Sequence, residues 1–399
     1  MLNTMQLSDR AIERRAKKYL LRAPFELFVP TLPGLEQATK SELVRLGYST
    51  SVTRGGVGFQ GDLASAYEVN LSLHSGNRVL LRLGEFLAQN YPMLYNHARS
   101  ISWEAILGNC PSYAIHVSSR KSRLGHRRHV EKVICDAIRD RMNRFGLRPT
   151  HVRDGQLTIS ARLHRDRCLL SLDTSGPHLH KRGYRQLSNR APIRETTAAG
   201  ILLFADSESY QVVVDPFCGS GTFPIEAELL ARNAPPGINR QPGIECSPLH
   251  SPGTWQHQLR LASKRSKSCD QEILGLDISA DAISKAKSAA RAAGTTHVSL
   301  RTGNALELDF RSVGHQAKHR LVVANLPYGR RLGSADAARN LIEGFSRHLS
   351  YAATGWDYAL ITPRSIPPEN PALHTTRTVS FENGGIPVLL SLGTVRDER

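Results

Sequence analysis

Residues 210–225 read Tyr-Gln-Val-Val-Val-Asp-Pro-Phe-Cys-Gly-Ser-Gly-Thr-Phe-Pro-Ile: an apolar run closed by Asp215, a turn carrying Gly219 and Gly221, and the start of an apolar helix. This spacing predicts strand, tight turn and helix, with the two glycines letting the backbone approach a ligand at the carboxyl end of a strand. The Lys-Ser/Thr pair of a phosphate-binding loop is absent, and Pro224 stands where a third glycine would complete the dinucleotide fingerprint. A nucleoside without a pyrophosphate fits the turn better. A purely structural turn could use the same glycines, so the neighbouring segments decide.

Apolar segments at 273–276, 298–300, 321–324 and 358–361 follow, interleaved with helical patterns, which predicts a doubly wound parallel sheet. The second strand ends in Asp277, an acid able to accept hydrogen bonds from both hydroxyls of a ribose and equally able to cap the helix at 280–293. The third ends at Gly303-Asn304-Ala305, where Asn304 could meet an adenine amino group or simply make a turn. The fourth runs into Asn325-Leu326-Pro327-Tyr328-Gly329. There the Asn325 amide oxygen and a backbone carbonyl can accept the two hydrogens of an exocyclic amino group, Pro327 stiffens the turn, and Tyr328 can stack on the base.

Upstream the pattern changes. Strands are expected at 25–30, 51–59 (around the Gly55–Gly56 turn), 78–86 and 113–118, a hairpin at 156–164 and 167–173, and helices at 35–46, 63–73 and 130–145, together an α+β half. Residues 1–23 read as a basic helical leader and 235–253 as a Pro-rich loop or insertion. Charge separates the halves. The chain carries +17, with 31 bases against 16 acids in residues 1–200 (+15) and 21 against 19 in 201–399 (+2). A basic half joined to a near-neutral one suggests a polyanion-binding module beside a second function, since cations that neutralise phosphates gain from counterion release.

With 399 residues, two or three domains are expected. At 40% hydrophobic and 22% charged residues the chain is not of disordered or collagen-like composition. No apolar run approaches the ~20 residues of a membrane helix. The N-terminus resembles neither a signal nor a transit peptide, so a cytoplasmic location is expected. The six cysteines stand apart without zinc-ligand spacing, which predicts neither a structural metal nor a disulfide framework. Composition says nothing of oligomeric state.

These motifs resemble those of the class I S-adenosylmethionine-dependent methyltransferases that act on exocyclic amino groups. More closely, the chain resembles the THUMP-domain RNA guanine-N2 methyltransferases over about residues 25–365, through Thr31-Leu-Pro-Gly-Leu-Glu36, Arg54-Gly-Gly-Val-Gly-Phe59, Leu172-Asp-Thr-Ser-Gly176, His180-Lys-Arg-Gly-Tyr-Arg185 and Ala191-Pro-Ile-Arg-Glu-Thr196. The resemblance implies a leader at 1–24, a ferredoxin-like segment at 25–66, a THUMP domain at 67–177, a linker at 178–197 and a Rossmann-like catalytic domain at 198–399. It implies S-adenosylmethionine as cofactor, lined by Arg194, Glu195 and Thr196 and by Asp215, Phe217, Gly219 and Gly221, with Asp277 on the ribose and Asn304 near the adenine. Asn325, Pro327 and Tyr328 would hold the target base; Leu326 departs from the proline more usual there, which touches only the loop's shape. Phosphate contacts are expected from Arg120, Lys121, Arg123, Arg127 and Arg128, and from Lys181, Arg182 and Arg185.

The substrate implied is guanosine N2 in 23S ribosomal RNA, with the tRNA-acting relatives sharing the layout. An adenine-N6 enzyme and a non-catalytic RNA-binding assembly factor are the other readings. Relatives of the rRNA type can carry a second methyltransferase domain, and the end at Arg399 predicts a single-activity version.

Overall fold

Ser8 starts the first helix, α1 (Asp9–Leu20), its hydroxyl accepting the Ala11 N–H, and Ile12, Ala16 and Tyr19 are buried along one face. In the computed structural model, which describes residues 7–185, 193–328 and 334–397, the described part of the expected leader therefore packs into the core of the first half. The chain continues as β1 (Phe25–Pro30), α2 (Glu36–Arg45), a hairpin of β2 (Thr50–Thr53) and β3 (Gly56–Gly61), α3 (Leu63–Ser72) and β4 (Leu80–Leu87). Gly55, at φ +89°, makes the hairpin turn. Asp62 and Ser65 cap α3 reciprocally.

Next come α4 (Tyr91–Ser100), α5 (Trp103–Ile106), β5 (Ser112–Arg120), α6 (Arg127–Asn143), β6 (Thr150–His151), β7 (Leu157–His164) and β8 (Arg167–Asp173). Neither α4 nor α5 follows from the apolar periodicity of the sequence. Pro92 sits in the first turn of α4, where no backbone N–H is required, and Asn90 caps the helix, its side-chain oxygen accepting the Met93 N–H. All eight strands form one sheet in the order β2-β3-β1-β4-β8-β7-β5-β6, joined in the middle by the antiparallel β4–β8 pair.

The second half comprises α7 (Glu195–Phe204), β9 (Val212–Asp215), α8 (Thr222–Ala231), α9 (Pro252–Lys264), β10 (Glu272–Asp277), α10 (Ala280–Ala292), β11 (Val298–Thr302), β12 (Arg320–Asn325), α11 (Ala335–Ala352), β13 (Asp357–Pro363), β14 (Leu373–Asn383) and β15 (Ile386–Val395). The sheet order is β11-β10-β9-β12-β13-β15-β14, with all five expected strands parallel; at one edge β15 pairs antiparallel with β13, and β14 pairs antiparallel with β15. The fold is an α/β Rossmann-like domain preceded by an α+β half. β14 lies at the sheet edge, and its exposed middle, Thr-Thr-Arg-Thr, lacks the apolar alternation by which a half-buried strand is read from sequence. Separate apolar clusters cover the two faces of this sheet.

Residues 235–253 fold back over the first half. Gly237 and Gly243 donate their N–H groups to the carbonyls of Leu71 and Thr174, and Ile244, Leu249 and Trp255 join the first core. Against the expectation of no disulfide framework, one bridge closes there, Cys110–Cys246, with Cα atoms 5.3 Å apart. A separation of 136 residues, spanned only because the insertion folds back, hid the pair from sequence reading.

Candidate active site

β9 lies between β10 and β12, and the register sets Asp215 level with Gly275 and Val214 level with Val322. Asp215, Asp277 and Asn325 therefore end their strands at the same edge of the sheet. Chain order reverses at this point, with β10 and β11 to one side and β12 to the other, which is where open α/β sheets bind ligands.

The turn between β9 and α8 leans on β10. The Gly219 N–H donates to Asp277 Oδ2 at 2.9 Å and the Cys218 N–H to the Leu276 carbonyl at 2.8 Å, while Asp277 Oδ1 accepts the Ser279 N–H at 2.9 Å. Gly219 is left-handed at φ +53°, and a Cβ placed on it would meet nothing within 4 Å, so open space borders its backbone. Gly221 serves another purpose. At φ +81°, its added Cβ would lie 3.0 Å from the Ala286 Cβ, so it admits the close approach of α10.

Phe217 packs edge-to-face on Phe345 with ring centroids 4.9 Å apart, and its N–H donates to Asp215 Oδ1 at 3.0 Å. Asp215 is buried, and burial pushes its carboxyl well above the usual range, with the nearby Asp277 carboxylate adding to the shift. Asn304 caps the short turn Ala305–Glu307: its side-chain oxygen accepts the Leu306 N–H at 3.1 Å and its amide donates to Glu307 at 2.9 Å.

Asn325 is the last residue of β12, 8% exposed, and its Oδ1 has no hydrogen-bond partner. Among the other buried oxygens without partners, Ser220 Oγ belongs to the glycine turn and Glu195 Oε2 to the start of α7. An unpaired buried acceptor is costly in a folded protein and marks a place where a ligand can bond. Glu195 also forms an ion pair with Arg185 at 3.4 Å, and burial raises its carboxyl despite that partner. Arg194 is exposed, whereas Thr196 is buried and donates to Asn77 in the first half at 3.1 Å. Pro327 is partly exposed. Tyr328, expected to offer an open ring, is 9% exposed within the core, and its hydroxyl accepts a bond from Asn383 at 2.7 Å. Asn383, at the end of β14, was not foreseen from sequence. Gly329, and Ala191 and Pro192 of the upstream motif, lie outside the described residues.

The expected RNA contacts divide in two. Arg120, Lys121, Arg123, Arg127 and Arg128 are exposed around the end of β5 and the start of α6, and Lys181 is exposed as well. Arg182 and Arg185 instead make their contacts inside the protein. Arg182 is buried against backbone carbonyls and Glu226, and Arg185 donates to Thr222 Oγ1 at 2.7 Å and to the Ile193 carbonyl at 3.0 Å. Glu226 escaped sequence reading, although an acid within the apolar helix Phe-Pro-Ile-Glu-Ala-Glu-Leu-Leu is a signal for a buried partner. Among the described residues there is no group of His, Cys, Asp and Glu that could hold a metal, and no helix long and apolar enough to cross a membrane.

Three family models match the chain: an RlmL ferredoxin-like domain at residues 26–80, a THUMP domain at 88–173 and an RMKL-like methyltransferase domain at 182–391. Among curated proteins, the ribosomal RNA large subunit methyltransferase K/L of Syntrophotalea carbinolica is 34% identical over 352 residues, 85% of this chain and 49% of the relative. Its namesake from Psychromonas ingrahamii is 31% identical over 376 residues, 91% of this chain and 49% of the relative. The chain thus spans about half the length of these curated relatives. Among solved structures, a protein assigned to the methyltransferases and crystallised with SAH is 26% identical, with a TM-score of 0.83 over 95% of this chain and 99% of that one. A protein from Listeria monocytogenes described as a predicted N6-adenine-specific DNA methylase is 28% identical, with a TM-score of 0.80 over 94% of this chain and 97% of that one.

Proposed function

The chain belongs to the RMKL-like methyltransferase family, and from that premise we propose that it transfers a methyl group from S-adenosylmethionine to the exocyclic N2 of a guanosine in large-subunit ribosomal RNA. The observation that carries this reading is the buried, unpartnered Asn325 Oδ1 at the switch point, at the same sheet edge as the turn that holds the open backbone of Gly219. The resemblance of the whole chain to ribosomal RNA methyltransferases supports the substrate class. Residues 67–177 would supply RNA binding and 198–399 the transfer.

The residues present fit the cofactor. Asp277 uses each oxygen once, on the Gly219 and Ser279 N–H groups, and a carboxylate has further lone pairs for two ribose hydroxyls. Gly219 leaves room beside the turn, and the unpaired oxygens of Ser220 and Glu195 can take polar hydrogens of the amino-acid end, with Arg194 exposed nearby in sequence. Asn304 stands at the third strand end for the adenine. Gly221, Asp215, Phe217 and Thr196 support this arrangement from within: Gly221 by admitting α10, Thr196 by holding Asn77, and Asp215 by holding the Phe217 N–H. When bound, the cofactor supplies a methyl group already activated on a sulfonium, so the protein's task is chiefly positioning.

Guanine N2 is a weak nucleophile because its lone pair is delocalised into the ring. A hydrogen bond from the amino group to Asn325 draws density back onto nitrogen, and burial strengthens that bond. Pro327 stiffens the loop that brings the acceptor to the base, and Tyr328, anchored by Asn383, fixes the loop's base. A paired guanine must be unstacked to enter, at a cost of a few kcal/mol, which phosphate contacts from Arg120, Lys121, Arg123, Arg127, Arg128 and Lys181 offset.

The same acceptor arrangement also suits adenine N6, the reading favoured by the Listeria neighbour's description. Transfer of radiolabelled methyl from S-adenosylmethionine to separate pools of unmodified rRNA and tRNA, followed by nucleoside analysis, separates these readings. N2-methylguanosine in the rRNA pool is expected. Label in tRNA moves the substrate, label as N6-methyladenosine overturns the guanine assignment, and failure to bind the cofactor overturns the enzyme reading.

A further inference from the structure

Residues 180–185 cross from the first half to the second, and their inward arginines take no part in the function proposed above. Arg182 donates to the carbonyls of Leu73 and His74, just past α3, at 3.5 and 2.6 Å, and its guanidinium lies 3.4 Å from Glu226 on α8. The Tyr184 hydroxyl donates to the other oxygen of Glu226 at 2.8 Å. Arg185 donates to Thr222 Oγ1 at 2.7 Å and pairs with Glu195 at the start of α7.

Thr222 and Glu226 are four residues apart, hence on one face of α8. Thr222 directly follows Gly221, so whatever holds it also holds the end of the glycine turn. Burial works against the Glu226 carboxylate, yet Arg182, His74 and Tyr184 together keep its pKa below the ordinary value, so the grip on α8 is that of a buried ion pair. The segment thus holds the end of α3 on one side and the first turns of α8 on the other.

We propose that Arg182, Tyr184 and Arg185 form a positioning strap that sets α8, and through Thr222 the turn at 215–221, at an attitude fixed by the end of α3, so that the first half holds the cofactor turn ready for its ligand. The proposal rests on the reading of that turn as a cofactor contact. None of the three side chains need touch the cofactor or the target base.

Calorimetric titration of the full chain with S-adenosylhomocysteine, paired with thermal unfolding, tests it. Thr222→Val and Tyr184→Phe each remove one strap hydrogen bond and are expected to weaken binding about tenfold, the equivalent of one lost hydrogen bond. Thr222→Ser keeps the hydroxyl and is expected to bind as the unaltered protein does. Leu230→Ala, on α8 but packed in the cluster on one face of the second sheet, is the control: it is expected to lower the unfolding temperature more than the strap variants and leave affinity unchanged. In steady state the strap variants should raise KM for S-adenosylmethionine while kcat at saturation changes less. Unaltered affinity in both strap variants, or loss of affinity in Leu230→Ala that tracks its loss of stability, overturns the strap. Failure of the unaltered protein to bind overturns the reading of the turn itself, and the strap with it.

Discussion

Two arginine-bearing segments, 120–128 and 181–185, read alike as sequence and differ in the fold. The first surrounds the junction of β5 and α6, and its arginines are exposed; Arg123 keeps 68% of its side chain in solvent while facing Asp166 at 3.5 Å. The second runs between the two halves, where Arg182 and Arg185 meet Glu226 and Glu195. Local charge density does not distinguish a surface that binds a polyanion from an internal clamp. The distinction lies in acids 10 to 44 residues further along the chain, buried on α7 and α8.

Arg182→Ala separates the two segments most strongly. It leaves the fully buried Glu226 without its guanidinium, and stability measured by denaturant unfolding is expected to fall by about 3–5 kcal/mol. A loss under about 1 kcal/mol would mean that the segment is no clamp. The double variant Arg127→Gln, Arg128→Gln should do the reverse: unfolding unchanged, RNA affinity lower, and the slope of log affinity against log salt reduced by about 2. An unchanged slope removes those residues from the interface.

A smaller effect is expected at His178 and His180, which stack with ring centroids 5.2 Å apart beside the clamp. Burial pushes each imidazole down to about 4, and Arg194 and Lys181 act in the same direction on both. Because the folded values lie below the unfolded one, the contribution of these rings to stability is complete above pH ~6.5 and is lost as pH falls towards 4. Both rings are partly exposed, and solvent screening keeps each contribution to about 1 kcal/mol or less. His178→Gln and His180→Gln should flatten the acid limb of the stability profile, and an unchanged limb would place the acid-sensitive groups elsewhere.

What sequence made legible follows from periodicity and local chemistry. The five parallel strands were readable because buried parallel strands are continuous apolar runs, and the residues at their ends follow directly from the strand ends. Edge strand β14 was not readable because its exposed face lacks apolar alternation, and the Cys110–Cys246 bridge was not because it depends on an insertion folding back over another half. At the site, Asp277 and Asn325 stand where their strand ends predict, whereas the roles of Gly221 and Tyr328 depend on neighbours, Ala286 and Asn383, that no local pattern specifies.

Single-turnover methyl transfer by Asn325→Ala to unmodified rRNA, with S-adenosylhomocysteine affinity measured on the same preparation, isolates the role of the Asn325 acceptor. Cofactor affinity is expected to stay within about twofold of the unaltered protein while the transfer rate falls by about a hundredfold, the size of effect seen when one oriented polar contact at a reacting centre is removed. Near-normal transfer with cofactor bound would contradict that role.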